Sequence, residues 1–392
     1  MKLLRTLSTA RLLSLIATIA ALAAASAVLA VVASGSGGPT PPAKPLANAI
    51  HDALAGAAPD GISADIRFTN KLFPSGALTG AAGSALLTGA SGRLWATDDG
   101  RGRLELQSDA GDMQIVWNAD RVALFDASSN TVYTFTLPRK AATSTESSTA
   151  HAVPALADIS TFLADLANHA SVSDAQPDNV AGQQAYTVTI SPKHDGGLLG
   201  SAQLAFDAAR GIPLRLAVYA QGSSTPALAL EATNISYGAV PSSDVDVSPP
   251  AGAKVVDLSG AASGGAAHSG SDTNTQVSGL DAVQAAVDFP VAAPGTLVGL
   301  PRQHVGLAGH DAALVVYGEG LGAIVLVEHK ADAARPGGMI AGLPTVSLNG
   351  VTAHELATQL GTVLEWQEGG RAIVLAGSLP PAAAESAARE LK

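Results

Sequence analysis

The sequence predicts an α+β protein in which antiparallel strands predominate, preceded by one membrane-spanning helix and divided into two folded units. Three observations support this prediction. Residues 112–138 alternate apolar and polar side chains across two short turns, which is the pattern of a half-buried antiparallel meander. Residues 12–33 form one uncharged apolar run. Residues 258–276 are rich in Gly, Ala and Ser and read as a flexible linker between the units.

The meander contains three strands with apolar faces. Ile115 and Trp117 share one face of the first strand, because side chains alternate with a period of two. Tyr133 and Phe135 share one face of the third, and Pro138, which has no N–H for the ladder, suits its end. Three strands this apolar need further strands and a cover over one face. The remainder of the chain is expected to supply both.

Composition bounds the class of protein. With 392 residues, of which 47% are hydrophobic, the chain is long enough for two domains. The net charge of −11 argues against a nucleic-acid partner, which requires a basic face. The absence of cysteine excludes disulfides, thiolate metal sites and a cysteine nucleophile.

The N-terminus predicts export. Lys2, Arg5 and Arg11 precede the apolar run, so the positive-inside rule places the N-terminus in the cytoplasm and the body outside. The run of 22 residues from 12 to 33 is long enough to span a bilayer and longer than a usual secretory signal, which favours a single-pass signal anchor. A cleaved signal peptide, giving a secreted protein, is the alternative. Residues 34–45 are a Gly/Pro/Ser tether.

Helices and strands then alternate in blocks. Leu46, Ile50 and Leu54 form an apolar stripe at helical spacing, and residues 62–69 alternate as a strand. A second helix follows Pro154, with Leu156, Ile159, Leu163 and Leu166 on one side and Phe162 adjacent. Further strands are predicted at 94–97, 103–107, 185–190, 201–207, 214–219 and 228–237.

Motifs in both halves of this region resemble one family. They are W-x-x-D at 117–120, N-T-x-Y-x-F-x-L-P at 130–138, Y-T-V-T-I-S-P at 186–192, F-D-A-A-R-G-I-P-L-R at 206–215 and P-P-A-G-A-K-V at 249–255. The chain resembles the lipoprotein-carrier (LolA-like) superfamily, which also contains the sigma-E regulatory protein (RseB-like). The resemblance covers roughly residues 47–257 and implies an open antiparallel half-barrel covered by helices, here assigned to residues 46–257.

The resemblance also implies a ligand site. In that family an apolar concavity accepts acyl chains and the helices act as a lid. The corresponding apolar side chains here are Ile66, Phe68, Leu104, Leu106, Ile115, Trp117, Tyr133, Phe135, Leu156 and Phe162. Apolar stripes usually mark a core, so an ordinary core packed by the two helices is the alternative.

Residues 277–392 are predicted to form a second, small α+β domain. Strands are expected at 312–317 and 323–329, and two more within 360–380 are joined at 368–370. An Ala-rich helix closes the chain from Pro381. This part resembles a small domain that follows carrier-like domains in Gram-positive bacteria.

No motif indicates catalysis. His354-Glu355 lacks the second histidine of a zincin helix, and no Gly-x-Ser-x-Gly elbow or P-loop is present. Gly318–Gly322 reads as a hairpin turn, since alanine replaces the third glycine of a dinucleotide loop. The sequence therefore predicts no catalytic residue, no metal site and no cofactor.

These observations predict a membrane-anchored, extracytoplasmic protein that binds a lipid, an acylated protein or another apolar ligand. The alternative is an envelope-stress sensor that regulates an anti-sigma factor, similar to the sigma-E regulatory protein; its partner would be a membrane regulatory protein.

Overall fold

A computed structural model describes residues 38–72, 85–109, 111–136, 153–193, 197–257, 277–309, 311–319, 322–331 and 343–391. The chain is mixed α+β and mostly strand, and its larger sheet is a curled antiparallel half-barrel. No helix among the described residues is long and apolar enough to cross a membrane. The predicted spanning segment at 12–33 lies outside the described residues.

Thirteen strands form the first sheet. They are β1 (Gly61–Asn70), β2 (Ala90–Thr97), β3 (Gly102–Gln107), β4 (Met113–Trp117), β5 (Arg121–Asp126), β6 (Thr131–Thr136), β7 (Ala170–Val172), β8 (Gln176–Val180), β9 (Gln183–Pro192), β10 (Leu199–Asp207), β11 (Pro213–Ala220), β12 (Pro226–Tyr237) and β13 (Lys254–Asp257). Their order is β13-β6-β5-β4-β3-β2-β1-β12-β11-β10-β9-β7, with β8 also paired to β9. All pairs are antiparallel except β13 with β6.

The predicted meander is confirmed as β4, β5 and β6. Asp126 shapes its second turn, because its carboxylate accepts hydrogen bonds from the Ser128 N–H at 2.9 Å and from the Ser129 hydroxyl at 2.7 Å. Asn130 then adopts a φ of 46°, a left-handed conformation that asparagine tolerates well. The short polar turn therefore fixes the register of β5 against β6.

Four helices accompany this sheet: α1 (Leu46–Leu54), α2 (Ala85–Thr88), α3 (Leu156–His169) and α4 (Ser242–Val245). Helix α1 packs Leu46, Ala49 and Ala53 on side chains of β9 and β10. Helix α3 packs against α1 and β7, α2 against β1, and α4 against β2 and β3. The helices thus make their principal contacts away from β4, β5 and β6.

The second sheet has eight strands and its own core. The strands are β14 (Thr296–Leu297), β15 (Leu300–Ala308), β16 (Ala312–Tyr317), β17 (Ile324–Lys330), β18 (Thr345–Leu348), β19 (Val351–Ala357), β20 (Thr362–Glu368) and β21 (Arg371–Gly377). Their order is β14-β15-β16-β17-β21-β20-β19-β18, and helices α5 (Leu280–Ala286) and α6 (Pro381–Glu390) pack against it. The predicted strands at 312–317 and 323–329 and the closing helix are present.

Among the described residues, the loop before β10 is hydrogen-bonded to the second sheet at Ser378. The N–H of Leu198 donates to the carbonyl of Ser378 at 2.9 Å, and the N–H of Leu199 donates to the Ser378 hydroxyl at 2.6 Å. Gly197 has a φ of 66°, and a Cβ there would overlap the Ser378 carbonyl oxygen. Glycine is therefore required at this contact for both conformation and space.

Candidate functional site

The strand register places the predicted ligand-binding side chains of the sheet on one face. Directly paired residues lie on the same face of a sheet, and Leu104 pairs with Ile115, Ile115 with Leu124, and Leu124 with Tyr133. Trp117 pairs with Val122, which pairs with Phe135. Alternation along each strand adds the remaining members of the set, Ile66, Phe68 and Leu106.

We name this surface the helix face, because α1 lies on it. Phe68 pairs with Leu230, Leu230 with Leu216, Leu216 with Leu204, and Leu204 with Val188. Val188 contacts the cluster that contains the buried side of α1. One row of apolar side chains therefore runs from β1 to the helix across five strands.

Burial divides the predicted set into two groups. Five members are buried in one core cluster: Ile66, Phe68, Leu104, Leu106 and Ile115. Trp117, Tyr133 and Phe135 are half-buried, and they stand at the β4–β6 end. Here the core alternative holds for the first group, while the second group leaves apolar surface accessible to a ligand. The half-buried group, with Val122 and Leu124, is the candidate site.

The prediction for the second helix is wrong in detail. Leu156 and Phe162 were expected to face the sheet, but their exposed fractions are 39% and 57%. Ile159 is buried, and Leu163 packs on the cluster around α1. Residues 159 and 163 are four apart and lie on the same side of the helix. The helix therefore buries that side and leaves Phe162 to solvent, so neither Leu156 nor Phe162 joins the candidate site.

The F-D…G-x-P-L motif has a structural explanation. Asp207 is buried, and its carboxylate accepts from the N–H groups of Ala209 and Arg210 at 2.8 and 2.9 Å and from the Tyr237 hydroxyl at 2.7 Å. Burial, and then this last hydrogen bond, raises the pKa of the Tyr237 hydroxyl above its usual range. The motif thus fastens the β10–β11 hairpin to the end of β12. It supplies a fixed turn, not an acid or base.

Sequence reasoning missed the opposite face. There the segment 246–252 crosses strands β3 to β6, and it lines two grooves with apolar side chains of the sheet. The P-P-A-G-A-K-V motif supplies part of this segment. The motif contributed to the family resemblance, but no local signal indicated that the segment lies across the sheet.

The described residues offer no group of three or more His, Cys, Asp or Glu side chains suited to a metal ion. The candidate site itself contains aromatic and aliphatic side chains without a paired acid and base. Its chemistry is that of apolar binding, with the Tyr133 hydroxyl as a polar group.

Comparison with known proteins gives structural neighbours only. No family model matches the chain. No curated protein matches it. The solved structures that match include the MucA/MucB complex of Pseudomonas aeruginosa, with 16% identity over 88% of this chain and 94% of that chain at a TM-score of 0.41. MucB in complex with MucA(peri) gives 15% identity over the same shares at a TM-score of 0.39.

A LolA superfamily protein from Nitrosomonas europaea matches over 52% of this chain and 99% of its own, with 10% identity and a TM-score of 0.20. The solved structures that match therefore include MucB and a LolA superfamily protein.

Proposed function

We propose that this chain is an extracytoplasmic, membrane-anchored protein that binds a lipid or an acylated protein on the helix face of its first sheet. The ligand's hydrocarbon chain lies against Trp117, Tyr133 and Phe135. The observation that carries the proposal is the change in burial along this face. On this face Phe68, Leu106 and Ile115 are buried, whereas Trp117 at the end of β4 and the apolar side chains of β5 and β6 are half-buried, and the helices make no principal contact with β4, β5 or β6.

Burial of a hydrocarbon chain on this surface contributes a substantial free energy of binding. Each buried methylene contributes about 0.8 kcal/mol, so five methylenes covered by this surface contribute about 4 kcal/mol. A difference of that size corresponds to about a thousandfold in affinity. A short length of acyl chain is therefore enough for useful binding, and the remainder of the chain can stay in solvent or in a partner.

Export and anchoring rest on the sequence. The three basic residues before the apolar run at 12–33 support an N-terminus in the cytoplasm and a body outside. An uncleaved anchor suits local hand-off of a ligand near the membrane better than free diffusion. N-terminal sequencing of the mature protein decides between the anchored and the secreted form, since an N-terminus between residues 25 and 40 would contradict the anchor.

Trp117 provides a built-in reporter of ligand binding. The chain has three tryptophans, so replacing Trp95 and Trp366 by phenylalanine leaves Trp117 as the single emitter. Addition of a brominated fatty acid to the body after residue 34 is expected to quench its fluorescence. Tyr133→Ser and Phe135→Ser should each weaken binding about tenfold, the equivalent of about 1.4 kcal/mol.

Leu54→Ser is the matched control, because Leu54 is apolar and 48% exposed but lies on α1, outside the candidate site. The affinity of Leu54→Ser for the fatty acid should equal that of the parent protein. Absence of quenching, together with recovery of the detergent-free body without lipid in native mass spectrometry, would refute the proposal. Equal weakening by all three serine variants would also refute it, since the effect would then not depend on the site.

A second function is favoured by the exposed side of the helices. Leu54 on α1 and Leu156 and Phe162 on α3 expose large apolar side chains, and exposed apolar groups of this size often mark surfaces that bind proteins. The chain would then act as an envelope-stress regulator that binds an anti-sigma factor, as the sequence resemblance implies.

Crosslinking in cells distinguishes the two functions. Recovery of an anti-sigma factor with the parent chain, and its loss with Phe162→Ser, would support the regulator. Recovery of lipoproteins that is lost with Phe135→Ser and kept with Phe162→Ser would support the lipid-binding function.

A further inference from the structure

A segment on the face opposite the helix face is held at both ends. We name residues 246–252 the strap, and the surface beneath it the strap face. At its first end, Arg101 donates to the Asp246 carboxylate at 2.6 Å and Arg103 donates to the Asp244 carbonyl at 3.3 Å. At its second end, the Asn130 side chain donates to the Gly252 carbonyl at 3.3 Å. Strand β13 then continues the chain alongside β6.

The middle of the strap is not bonded to the sheet. Pro249 and Pro250 have no N–H, and among the described residues no hydrogen bond joins Val247 or Ser248 to β3–β6. Two adjoining grooves of about 200 and 350 Å³ lie beneath it, and Gln114, Phe125 and Val247 line both. The two grooves therefore adjoin at these three residues, and we name them together the channel.

The middle of the channel is lined mainly by apolar side chains, with Gln114 and Thr134 as polar members. Val132 pairs with Phe125, and Thr134 pairs with Ala123, so the four side chains share the strap face. The lining residues run from Arg121 at the start of β5 to Ala127 just after its end, which is six steps along the chain, or about 20 Å at about 3.3 Å per step. The dimensions suit a single extended hydrocarbon chain better than a folded or branched group.

The two mouths of the channel differ in charge. Arg121 lines one mouth, is exposed, and makes no ion pair in the part of the chain that the structure describes. Asp120, which precedes Arg121 in the chain, takes part in another interaction. Asp112 lines the other mouth. An anionic group is therefore favoured at the Arg121 mouth and disfavoured at the other.

We propose that the channel beneath the strap binds a straight hydrocarbon chain with an anionic head group, whose head contacts Arg121 and whose tail runs along β5 beneath Val247. The residues of β5 that line this site alternate along the strand with those of the candidate site on the helix face, although Trp117, at the end of β4, also lines the first groove. A fatty acid and the acyl tail of an anionic lipid share this chemistry.

Photo-crosslinking tests the site directly. The body after residue 34 is irradiated with a palmitate that carries a diazirine near the end of its chain, and the labelled residues are identified by mass spectrometry. We expect labels on the strap and on the strap face of β5 and β6. A hexadecanol probe with the same diazirine should label the strap at least tenfold less at equal concentration, because it lacks the charge that Arg121 recognises.

Adjacent residues of β5 provide matched variants. Ala123→Phe fills the channel and should reduce labelling of the strap at least tenfold while leaving labels on the helix face. Val122→Phe, which points to the helix face, should leave labelling of the strap unchanged. Arg121→Gln lies on the exposed mouth and does not perturb the core; it should remove the preference for palmitate over hexadecanol.

The outcomes separate this site from the proposed function. Labels on the helix face alone would overturn the strap site and leave the proposed function intact. Labels on the strap alone would support the strap site and overturn the proposed function. The absence of any label would overturn the strap site and the proposed function. Strap labels that Ala123→Phe does not reduce, or a palmitate preference that survives Arg121→Gln, would also overturn the strap site. Labelling by a phosphatidylglycerol that carries the same palmitoyl group is compared with labelling by free palmitate. The stronger label shows whether the site binds a free fatty acid or the acyl tail of an anionic lipid.

Discussion

Arg371→Met is expected to destabilise the second sheet by about 3–5 kcal/mol, because it leaves a buried carboxylate without its cation. Glu328 is fully buried and accepts from Arg371 at 2.7 Å and from the Ala292 N–H at 3.0 and 3.1 Å. The same guanidinium donates to the Pro290 carbonyl at 2.7 Å. The pair therefore holds the segment before β14 on the sheet, and Arg371→Met leaves the Glu328 carboxylate and the Pro290 carbonyl in the interior without the guanidinium.

The cost of Arg371→Met should depend on pH. Burial raises the pKa of Glu328 above its usual 4.5, and Arg371 opposes that shift. A carboxyl group whose pKa is raised on folding contributes stability below its unfolded pKa, and that stability is lost as the pH rises through the folded pKa. Removing Arg371 raises the folded pKa further. The variant should therefore lose less stability near pH 5, where Glu328 can protonate, than near pH 8.

Urea denaturation followed by Trp366 fluorescence measures this effect, because Trp366 is buried in the same core. The double variant Glu328→Gln with Arg371→Met carries no buried charge, so it should recover part of the loss at pH 8 and show little pH dependence. Lys330→Met removes an exposed pair with Asp288 and serves as the control. A cost below about 1 kcal/mol for Arg371→Met, or the same cost at both pH values, would refute the argument for a buried charge pair.

Two further predictions concern glycine and tyrosine. Gly197→Ala should separate the two sheets, because a Cβ at this position overlaps the Ser378 carbonyl. Gly222→Ala is the control, since Gly222 has a similar φ of 72° and a Cβ there meets nothing within 4 Å. Small-angle scattering should show a larger radius of gyration for Gly197→Ala alone, and equal radii for the two variants would contradict this reasoning. Tyr317→Phe should stabilise the second sheet by up to about 1 kcal/mol in urea denaturation. The Tyr317 hydroxyl is buried, which raises its pKa to about 12, and it has no hydrogen-bond partner among the described residues. A decrease of more than about 1 kcal/mol in the free energy of unfolding would show that the hydroxyl does form a hydrogen bond.

Strong periodicity made much of the fold predictable. The meander of β4, β5 and β6, the strand β1, helices α1 and α3, and the hairpin of β20 and β21 all follow from local alternation or helical spacing. Strands without such a pattern were missed. Residues 176–180 contain a proline and three polar residues, and they form β8 by pairing with β9. Residues 300–308 and 345–357 were also missed, although their pairing is local: β15 forms a hairpin with β16, and β18 forms a hairpin with β19 across Asn349 and Gly350.

The candidate site was predicted only in part. Alternation correctly grouped the eight strand residues on one face, but it gave no information on how deeply each is buried. Phe68 and Phe135 have the same local pattern, yet Phe68 lies in the core and Phe135 is half-buried at the β4–β6 end of the sheet. Burial could not be predicted on helix α3 either. Apolar residues lie on more than one side of this helix, and the packing against α1 decides that Leu163 is covered while Phe162 is exposed.

The sequence by itself determined which residues share a face, because that depends on the two-residue period of a strand and the 3.6-residue period of a helix. The tertiary structure alone decided which part of the face stays accessible and where the strap crosses. These features depend on where α1 docks and how Arg101, Arg103 and Asn130 hold residues 246–252, and those contacts join residues more than 100 positions apart. Local patterns contain no record of such contacts, since their free energy depends on the folded geometry of both partners.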